Sequence, residues 1–148
     1  MLVLGWFYRW GDRIRHRRRA KAGDPDHALG RRGEDLAHRM LQRKGYHVIE
    51  RNHRTKTGSA EVDIIAMKGE VLVFVEVKTR TSADYGAPDR AIDEAKRRKI
   101  VSGADHYLRR STDLRNPLTR FDVVNVVLTP ELVIEHIEDA FRPQALSL

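Results

Sequence analysis

Residues 61–78 read Glu61-Val-Asp-Ile-Ile-Ala-Met-Lys-Gly-Glu-Val-Leu-Val-Phe-Val-Glu-Val-Lys78, two runs rich in β-branched residues around a short glycine-containing segment. Runs of this kind predict two strands, 62–67 and 71–78, joined as a tight hairpin. With Gly69 and Glu70 as the central turn residues, glycine takes the first position of a type II′ turn, where positive φ is required. This turn predicts both the strand pairing and its register. If Lys68 and Gly69 form the loop instead, Asp63 shifts by one position and the argument changes little.

The same hairpin predicts a cluster of charged side chains at one end. In this register Asp63 lies opposite Glu76 and Glu61 lies opposite Lys78, and alternation with a period of two puts all four on one face. Opposed carboxylates have Cβ atoms about 5 Å apart, and at an effective dielectric near 20 they repel by about 3 kcal/mol. Favourable cross-strand pairs contribute only about 0.2–1 kcal/mol. A counter-ion is therefore expected, and carboxylates with phosphate oxygens suit Mg²⁺ or Mn²⁺ rather than zinc.

The residues alone leave two interpretations of this cluster open. In the first, Asp63 and Glu76 bind the metal ion that phosphodiester hydrolysis needs, and Lys78 orients the attacking water and stabilises developing charge. In the second, Glu61 and Lys78 form a cross-strand salt bridge, and the two remaining acids lie at the solvated end of the sheet.

The rest of the chain predicts the order α-β-β-β-α-β-β. The predicted helices are 28–44 and 89–110, and the further strands are 46–52, 121–128 and 132–137. The central strand is apolar on both faces, with Val71, Val73, Val75 and Val77 on one and Leu72 and Phe74 on the other. Strands of this kind need cover above and below, which the helices supply. We predict an α/β fold with a mixed sheet flanked by helices.

Two charged residues stand next to the apolar faces of the predicted helices. Lys96 interrupts the row Ile92, Ile100, Ala104 and Leu108, so it is predicted to point at the sheet or to snorkel from it. Glu34 lies at the edge of the apolar stripe of the first helix. Each residue alone fits a solvated neighbour of the core, but their convergence with Asp63 and Glu76 favours a site.

Composition limits the classes of function. The chain has 148 residues, 41% hydrophobic and 33% charged, which describes one globular domain. It contains no cysteine, which excludes disulfides and thiolate metal sites and suits the cytoplasm, where we expect the protein. The net charge of +7 favours nucleic acid or an acidic membrane surface as partner. The histidines lack zinc-ligand spacing, and no phosphate-binding glycine loop is present.

The basic excess is concentrated in residues 1–26, which carry seven basic and three acidic groups. We predict a basic, aromatic N-terminal arm there and a single domain over 27–148. The apolar start is too short to span a bilayer, and its charges follow rather than precede it, unlike a secretory signal. Three interpretations remain open: a disordered arm, an arm that touches nucleic acid, and an interfacial anchor using Trp6 and Trp10.

Four motifs resemble the YraN-type family of small bacterial proteins, which is similar in fold to the PD-(D/E)xK nuclease superfamily and to archaeal Holliday-junction resolvases. They are Gly30-Arg-Arg-Gly-Glu-Asp-Leu-Ala37, Ala60-Glu-Val-Asp-Ile-Ile-Ala66, Val73-Phe-Val-Glu-Val-Lys-Thr-Arg80 and Arg120-Phe-Asp-Val-Val124. The resemblance covers 28–128 and implies a restriction-endonuclease-like mixed sheet. No proline precedes Asp63, whose neighbour is Val62, although superfamily members often lack this proline. Arg97 stands where family members commonly have glutamine after the helix lysine.

The resemblance also implies roles for single residues. Asp63, Glu76 and the Val77 carbonyl become the candidate metal ligands, Lys78 the catalytic lysine, and Glu34 a helix-borne acid that aids metal or water binding. Resolvase-like activity would further require a homodimer.

Three hypotheses of function result. The first is a Mg²⁺- or Mn²⁺-dependent endonuclease acting on DNA, in particular branched or structured DNA. The second is a nucleic-acid-binding protein that keeps the fold without turnover, and the third is a protein-interaction or membrane-peripheral factor that uses the arm. The candidates for holding phosphates flank the predicted site: Arg31, Arg32, Arg80, Lys96, Arg97 and Arg98.

Overall fold

A computed structural model describes residues 24–82, 92–114 and 116–143 of the chain. The elements in order are helix α1 (Pro25–Arg43), strands β1 (His47–Arg54), β2 (Glu61–Lys68) and β3 (Val71–Ser82), helix α2 (Glu94–Arg110), and strands β4 (Leu118–Thr129) and β5 (Val133–Phe141). The predicted order is confirmed. The five strands form one sheet in chain order, in which β3 and β4 are parallel and the other neighbours antiparallel. The predicted mixed sheet flanked by helices is therefore present.

Both helices begin at an aspartate cap, and neither begins where we predicted. The Asp24 carboxylate accepts the Asp26 N–H at 3.0 Å, and α1 starts at Pro25 rather than at Ala28. Asp24, Pro25 and Asp26, which we assigned to the arm, thus form the cap and the start of the helix. Residues 1–23 of the predicted arm lie outside the described residues. The Asp93 carboxylate accepts the Lys96 N–H at 2.8 Å, and α2 starts at Glu94. In each case a side-chain oxygen satisfies an N–H that the helix leaves unpaired.

The core consists of two layers, one on each side of the sheet. Val73, Val75 and Val77 pack with α1 residues such as Leu41, and Leu72 and Phe74 pack with α2 residues such as Ile100. The predicted division of the β3 side chains between the two faces is confirmed. Neither α1 nor α2 has the length and apolar character that crossing a bilayer requires.

The β2–β3 hairpin has the predicted register near its turn. Ile65 pairs with Phe74, and Gly69 has a φ of +58°. The pairing runs from the turn as far as Ile64 and Val75. Beyond that point the Val77 N–H donates to the Asp63 carboxylate at 2.8 Å. The side chain of Asp63 thus takes the place of the next main-chain hydrogen bond.

The alternation of side chains in β2 is interrupted at Asp63. Val62 packs in the α2 layer, whereas Ile64 packs in the α1 layer. In β1, Asn52 lies between the residues paired with Val62 and Ile64 and has a φ of +54°, in the left-handed region. Our prediction of a regular alternation through Asp63, which placed four charged residues on one face, is therefore wrong at this residue.

Helix α1 approaches β3 closely at Gly33. A Cβ at this position would lie 1.7 Å from the Thr79 Oγ1 and 2.7 Å from the Thr79 Cβ. Only glycine permits this distance, because the nearest atoms include the base of the side chain and not merely its end. The contact holds the middle of α1 beside the strand segment that carries Lys78.

Replacing Gly33 with alanine is expected to lower the free energy of unfolding by about 1–3 kcal/mol, because overpacking at this contact outweighs the gain in helix propensity of about 1 kcal/mol. Urea denaturation measures the change. In a Thr79→Gly background the same substitution meets no side chain at position 79, so it is expected to be neutral or stabilising. Equal effects in both backgrounds would show that the Gly33–Thr79 contact does not set the stability.

Candidate metal and nucleic-acid site

Two fully buried carboxylates lie at the end of the paired segment of the hairpin. Asp63 and Glu76 each expose only 1% of their surface. Asp63 turns towards β3, where its Oδ2 accepts the Val77 N–H at 2.8 Å. This bond ties Asp63 to the residue that directly follows Glu76. The hairpin thus holds the Asp63 carboxylate at the main chain of Val77, the residue that follows Glu76.

Lys96 of α2 reaches down to this pair of acids. Its Nζ lies 3.5 Å from the Glu76 Oε1, and the two side chains are 10% and 1% exposed. The prediction that Lys96 points at the sheet is confirmed. We also predicted that Lys96 holds phosphates, but its placement favours pairing with Glu76 over contact with a partner at the surface.

Lys78 follows Glu76 by two residues and is half-buried. Because β3 stays paired with β4 through this segment, its regular alternation places the side chains of Lys78 and Glu76 on the same face. Glu61 forms an ion pair with Arg54 of β1 at 3.4 Å. The structure therefore places Lys78 on the same face of β3 as Glu76, while Glu61 has a partner on the neighbouring strand.

Glu34 of α1 is as buried as the two strand acids, at 1% exposure. Its Oε2 lies 3.5 Å from the Arg51 Nη2, and the other terminal nitrogen of Arg51 lies 2.7 Å from Asp35. Arg51 pairs in the sheet with Ile64, the residue after Asp63. No sequence pattern distinguishes Arg51 from other basic residues, since a basic residue in a polar edge strand is usually solvated.

The predicted phosphate-binding residues divide into two groups. Arg31, Arg32 and Arg98 are exposed. Arg97 is half-buried, with its guanidinium carbon 5.7 Å from the centre of the Phe141 ring. Arg80 is also half-buried, and burial lowers the pKa of its guanidinium. The exposed group is available to a polyanion, whereas Arg97 packs on an aromatic ring.

A buried polar network on the α1 face of the sheet was not predicted. The Asp122 carboxylate accepts hydrogen bonds from the Arg120 Nε and the His136 Nε2, each at 2.8 Å. Burial acts to raise the pKa of Asp122, but the bonds from His136 and Arg120 outweigh it and leave the pKa below its usual value. Part of the motif Arg120-Phe-Asp122 thus contributes to the stability of the sheet.

The donor atoms around Asp63 fit a magnesium-like ion better than a transition metal. Across residues 24–82, 92–114 and 116–143, no three histidine or acidic side chains come close enough to hold a metal ion together. The protein's share would be two carboxylates and the Val77 carbonyl, an all-oxygen set. Mg²⁺ is commonly bound through one or two carboxylates while it keeps several waters.

A comparison with protein families identifies the group to which the chain is related. The model of the "Uncharacterised protein family UPF0102" matches residues 33–126, more than half of the chain. This chain belongs to UPF0102. The predicted YraN-type family is thereby confirmed. The matched region of UPF0102 runs from Gly33 to Val126 and includes all the residues predicted for catalysis and metal binding.

Individual UPF0102 relatives cover most of the chain. The UPF0102 protein of Solibacter usitatus (strain Ellin6076) is 43% identical over 139 residues, which are 94% of this chain and all of the relative. The UPF0102 protein of Rhodococcus opacus (strain B4) is 47% identical over 116 residues, covering 77% of this chain and 96% of the relative. UPF0102 protein GSU0650 of Geobacter sulfurreducens is 48% identical over 116 residues, covering 77% and 88%.

Proposed function

We propose that this UPF0102 protein is a Mg²⁺- or Mn²⁺-dependent nuclease that hydrolyses phosphodiester bonds in DNA. The observation that carries the proposal is the pair of buried acids, Asp63 and Glu76, joined through Val77 at the end of the hairpin. Burying one carboxylate is costly, and burying two side by side needs compensating positive charge. A divalent cation supplies such charge and is also what phosphodiester hydrolysis requires.

Each residue has a definite part in this proposal. Asp63, Glu76 and the Val77 carbonyl would hold the ion, and the Val77 N–H keeps the Asp63 carboxylate oriented. When bound, the ion supplies Lewis-acid stabilisation of charge on the phosphoryl group. The Lys78 ammonium orients the attacking water and donates to a phosphoryl oxygen.

Glu34 and Arg51 form the outer part of the proposed site. Arg51 belongs to the strand that pairs with β2 beside Asp63, and its contact with Glu34 joins α1 to that strand. Glu34 would receive a hydrogen bond from a water at the site, with its carboxylate held by Arg51. In this arrangement Arg51 is a positioning residue.

DNA is the partner that the charge of the protein favours. The net charge of +7 attracts a polyanion, and exposed arginines, Arg31 and Arg32, lie next to Gly33, which contacts β3 at Thr79. We place the reaction in the cytoplasm, which suits a chain without cysteine. Branched DNA would need paired cuts and hence a homodimer with two sites.

One observation favours a second function, nucleic-acid binding without turnover. The Lys96 ammonium lies 3.5 Å from Glu76 and already supplies positive charge to one of the two acids. In that case the ion pair is structural and the site has no requirement for a metal. The two functions differ in their dependence on divalent ions.

Cleavage of labelled DNA distinguishes the two functions. Purified protein incubated with single-stranded, duplex and four-way-branched DNA is expected to cut at least one substrate with Mg²⁺ or Mn²⁺ and none in excess EDTA. Metal-independent binding to the same substrates without any cleavage would contradict the nuclease proposal and support the binding protein.

A further inference from the structure

The outward face of α1 carries a row of three arginines. Arg32, Arg39 and Arg43 are all exposed. They are separated by seven and four residues, so at about 100° per residue they lie within about 40° of one another, opposite the buried side of the helix. The row is about 16 Å long at a rise of about 1.5 Å per residue.

The positive charge of this row is not compensated by the described part of the protein. None of the three arginines forms an ion pair with another residue of the described ranges 24–82, 92–114 and 116–143. The one acid on the exposed part of α1 beyond its first turn is Asp35, and the Arg51 Nη1 binds it at 2.7 Å. Within the described part of the chain, no acidic side chain therefore neutralises the row through an ion pair.

Helix α2 provides an internal comparison. Arg98, Asp105 and Arg109 are exposed on its outward face at the same spacing of seven and four residues. The middle position of this row is an acid, whereas in α1 it is Arg39. An uninterrupted basic row is therefore a property of α1 and not of every exposed helix in this protein.

The chemistry of the α1 face fits nucleic acid better than an acidic membrane. A helix that lies in a membrane interface buries apolar side chains among the lipids. The exposed large hydrophobic residues of the described chain are Ile49, Leu118, Leu132 and Val133, all outside α1. A nucleic-acid backbone carries its charges on the outside and requires no apolar insertion.

The row also starts beside the candidate site. Arg32 precedes Gly33, which contacts β3 at Thr79, directly after Lys78. Arg43 lies at the opposite end of the helix. A backbone lying along the row would therefore extend away from the end of the sheet that carries the acids.

We propose that Arg32, Arg39 and Arg43 bind the phosphate backbone of double-stranded nucleic acid. At a rise of about 3.4 Å per phosphate along one strand, the row spans about five base-pair steps. Contacts of this kind position the substrate without reading its sequence. The proposal rests on the nucleic-acid partner of the proposed function but not on cleavage.

The test compares two double variants that remove the same charge at the same spacing. Arg32→Gln/Arg43→Gln alters α1, and Lys99→Gln/Arg110→Gln alters exposed positions of α2 that are likewise eleven residues apart. Binding of the full chain to a fluorescent 20-base-pair DNA duplex is followed by anisotropy in EDTA at several salt concentrations. In the α1 variant the negative slope of log K against log salt is expected to become about 1.8 less steep, and binding is expected to weaken about 60-fold near 0.1 M salt. The α2 variant is expected to bind like the parent protein.

A second pair of variants exchanges the middle residues of the two rows. Arg39→Asp gives α1 the pattern of α2 and is expected to weaken binding at least as much as the loss of one contact, about eightfold near 0.1 M salt. Asp105→Arg gives α2 the pattern of α1 and tests whether a basic row on either helix is enough to bind the DNA duplex. Arg32→Lys/Arg43→Lys keeps the charge and is expected to retain the slope.

Several results would overturn the proposal. Equal losses in the α1 and α2 double variants would show general attraction rather than a bound row, and an unchanged slope in the α1 variant would show no contact. Loss of binding to phosphatidylserine vesicles with unchanged duplex binding would assign the row to a membrane. If the slope changes in the α1 variant while the parent protein cleaves no DNA, the arginine row binds nucleic acid and the nuclease proposal fails. If the parent protein cleaves DNA but the slope does not change in the α1 variant, the nuclease proposal holds and the proposal for the arginine row fails.

Discussion

Replacing Lys96 with methionine is expected to lower the free energy of unfolding by about 3–5 kcal/mol, since it removes the positive charge of an ion pair with a buried carboxylate. The Lys96 Nζ lies 3.5 Å from the Glu76 Oε1, and the two side chains are 10% and 1% exposed. Methionine keeps most of the volume and the helix propensity of lysine, so the loss reflects the charge. Urea denaturation in EDTA measures the change.

Two further variants separate the charge effect from packing. Glu76→Met/Lys96→Met removes both charges and is expected to recover most of the lost stability, because an apolar pair of similar volume can replace a buried ion pair. Lys99→Met, at an exposed position of the same helix, is expected to change stability by about 0.5 kcal/mol or less. Should Lys96→Met prove as stable as the parent protein, the ion pair does not form.

Magnesium is expected to restore stability to Lys96→Met. A divalent ion bound by Asp63 and Glu76 would replace the positive charge of the lost ammonium, so Mg²⁺ should stabilise this variant more than the parent protein. Ca²⁺ and high NaCl serve as controls for general ionic effects. Identical stabilisation of both proteins by Mg²⁺ would mean that the ion does not bind beside Glu76.

Replacing Asp63 with asparagine is expected to reduce the rate of metal-dependent cleavage by at least 10²–10³-fold, the size of effect seen when one stabilising group is lost from a charged transition state. In the parent protein the Asp63 carboxylate accepts the Val77 N–H at 2.8 Å. Asparagine has the same shape as aspartate and keeps an oxygen that can accept this bond. The substitution therefore removes the charge of a proposed metal ligand while the hairpin keeps its geometry. Single-turnover cleavage of labelled DNA provides the rate.

The matched control is Glu61→Gln in the same strand. Glu61 forms an ion pair with Arg54, and its side chain is 18% exposed. Removing the charge of Glu61 weakens only this ion pair, so the cleavage rate is expected to stay within about threefold of the parent value. Far-ultraviolet circular dichroism shows whether both variants fold. Retention of the parent rate by folded Asp63→Asn would remove Asp63 from the site.

The sheet could be predicted well because its signals are local and periodic. Gly69 marks the turn, and the alternation in β3 divides Val73 and Val75 from Leu72 and Phe74. Both features survive in the structure because β3 is buried on both faces and any slip in register would expose apolar side chains. The helix starts were less accurate. Asp24 caps α1 before the predicted start at residue 28, whereas Asp93 caps α2 after the predicted start at residue 89.

The site could be predicted by residue type but not by contact. The nature and position of Asp63, Glu76 and Lys78 follow from the hairpin. The break in alternation at Asp63 depends on Asn52 in the neighbouring strand, and no pattern within β2 reports it. The pairing of Glu34 with Arg51 likewise joins two elements through a contact that periodicity does not encode.

The most direct measurement of the central claim is a calorimetric titration of the protein with Mn²⁺. Asp63 and Glu76 together are proposed to hold one divalent ion, so the parent protein should bind one Mn²⁺. The double variant Asp63→Asn/Glu76→Gln should bind Mn²⁺ at least 100-fold more weakly. It loses two ligands, whereas losing a single supporting contact already weakens metal binding by about 10–100-fold. Equal affinity in the two folded proteins, or no Mn²⁺ binding by the parent, would contradict the account.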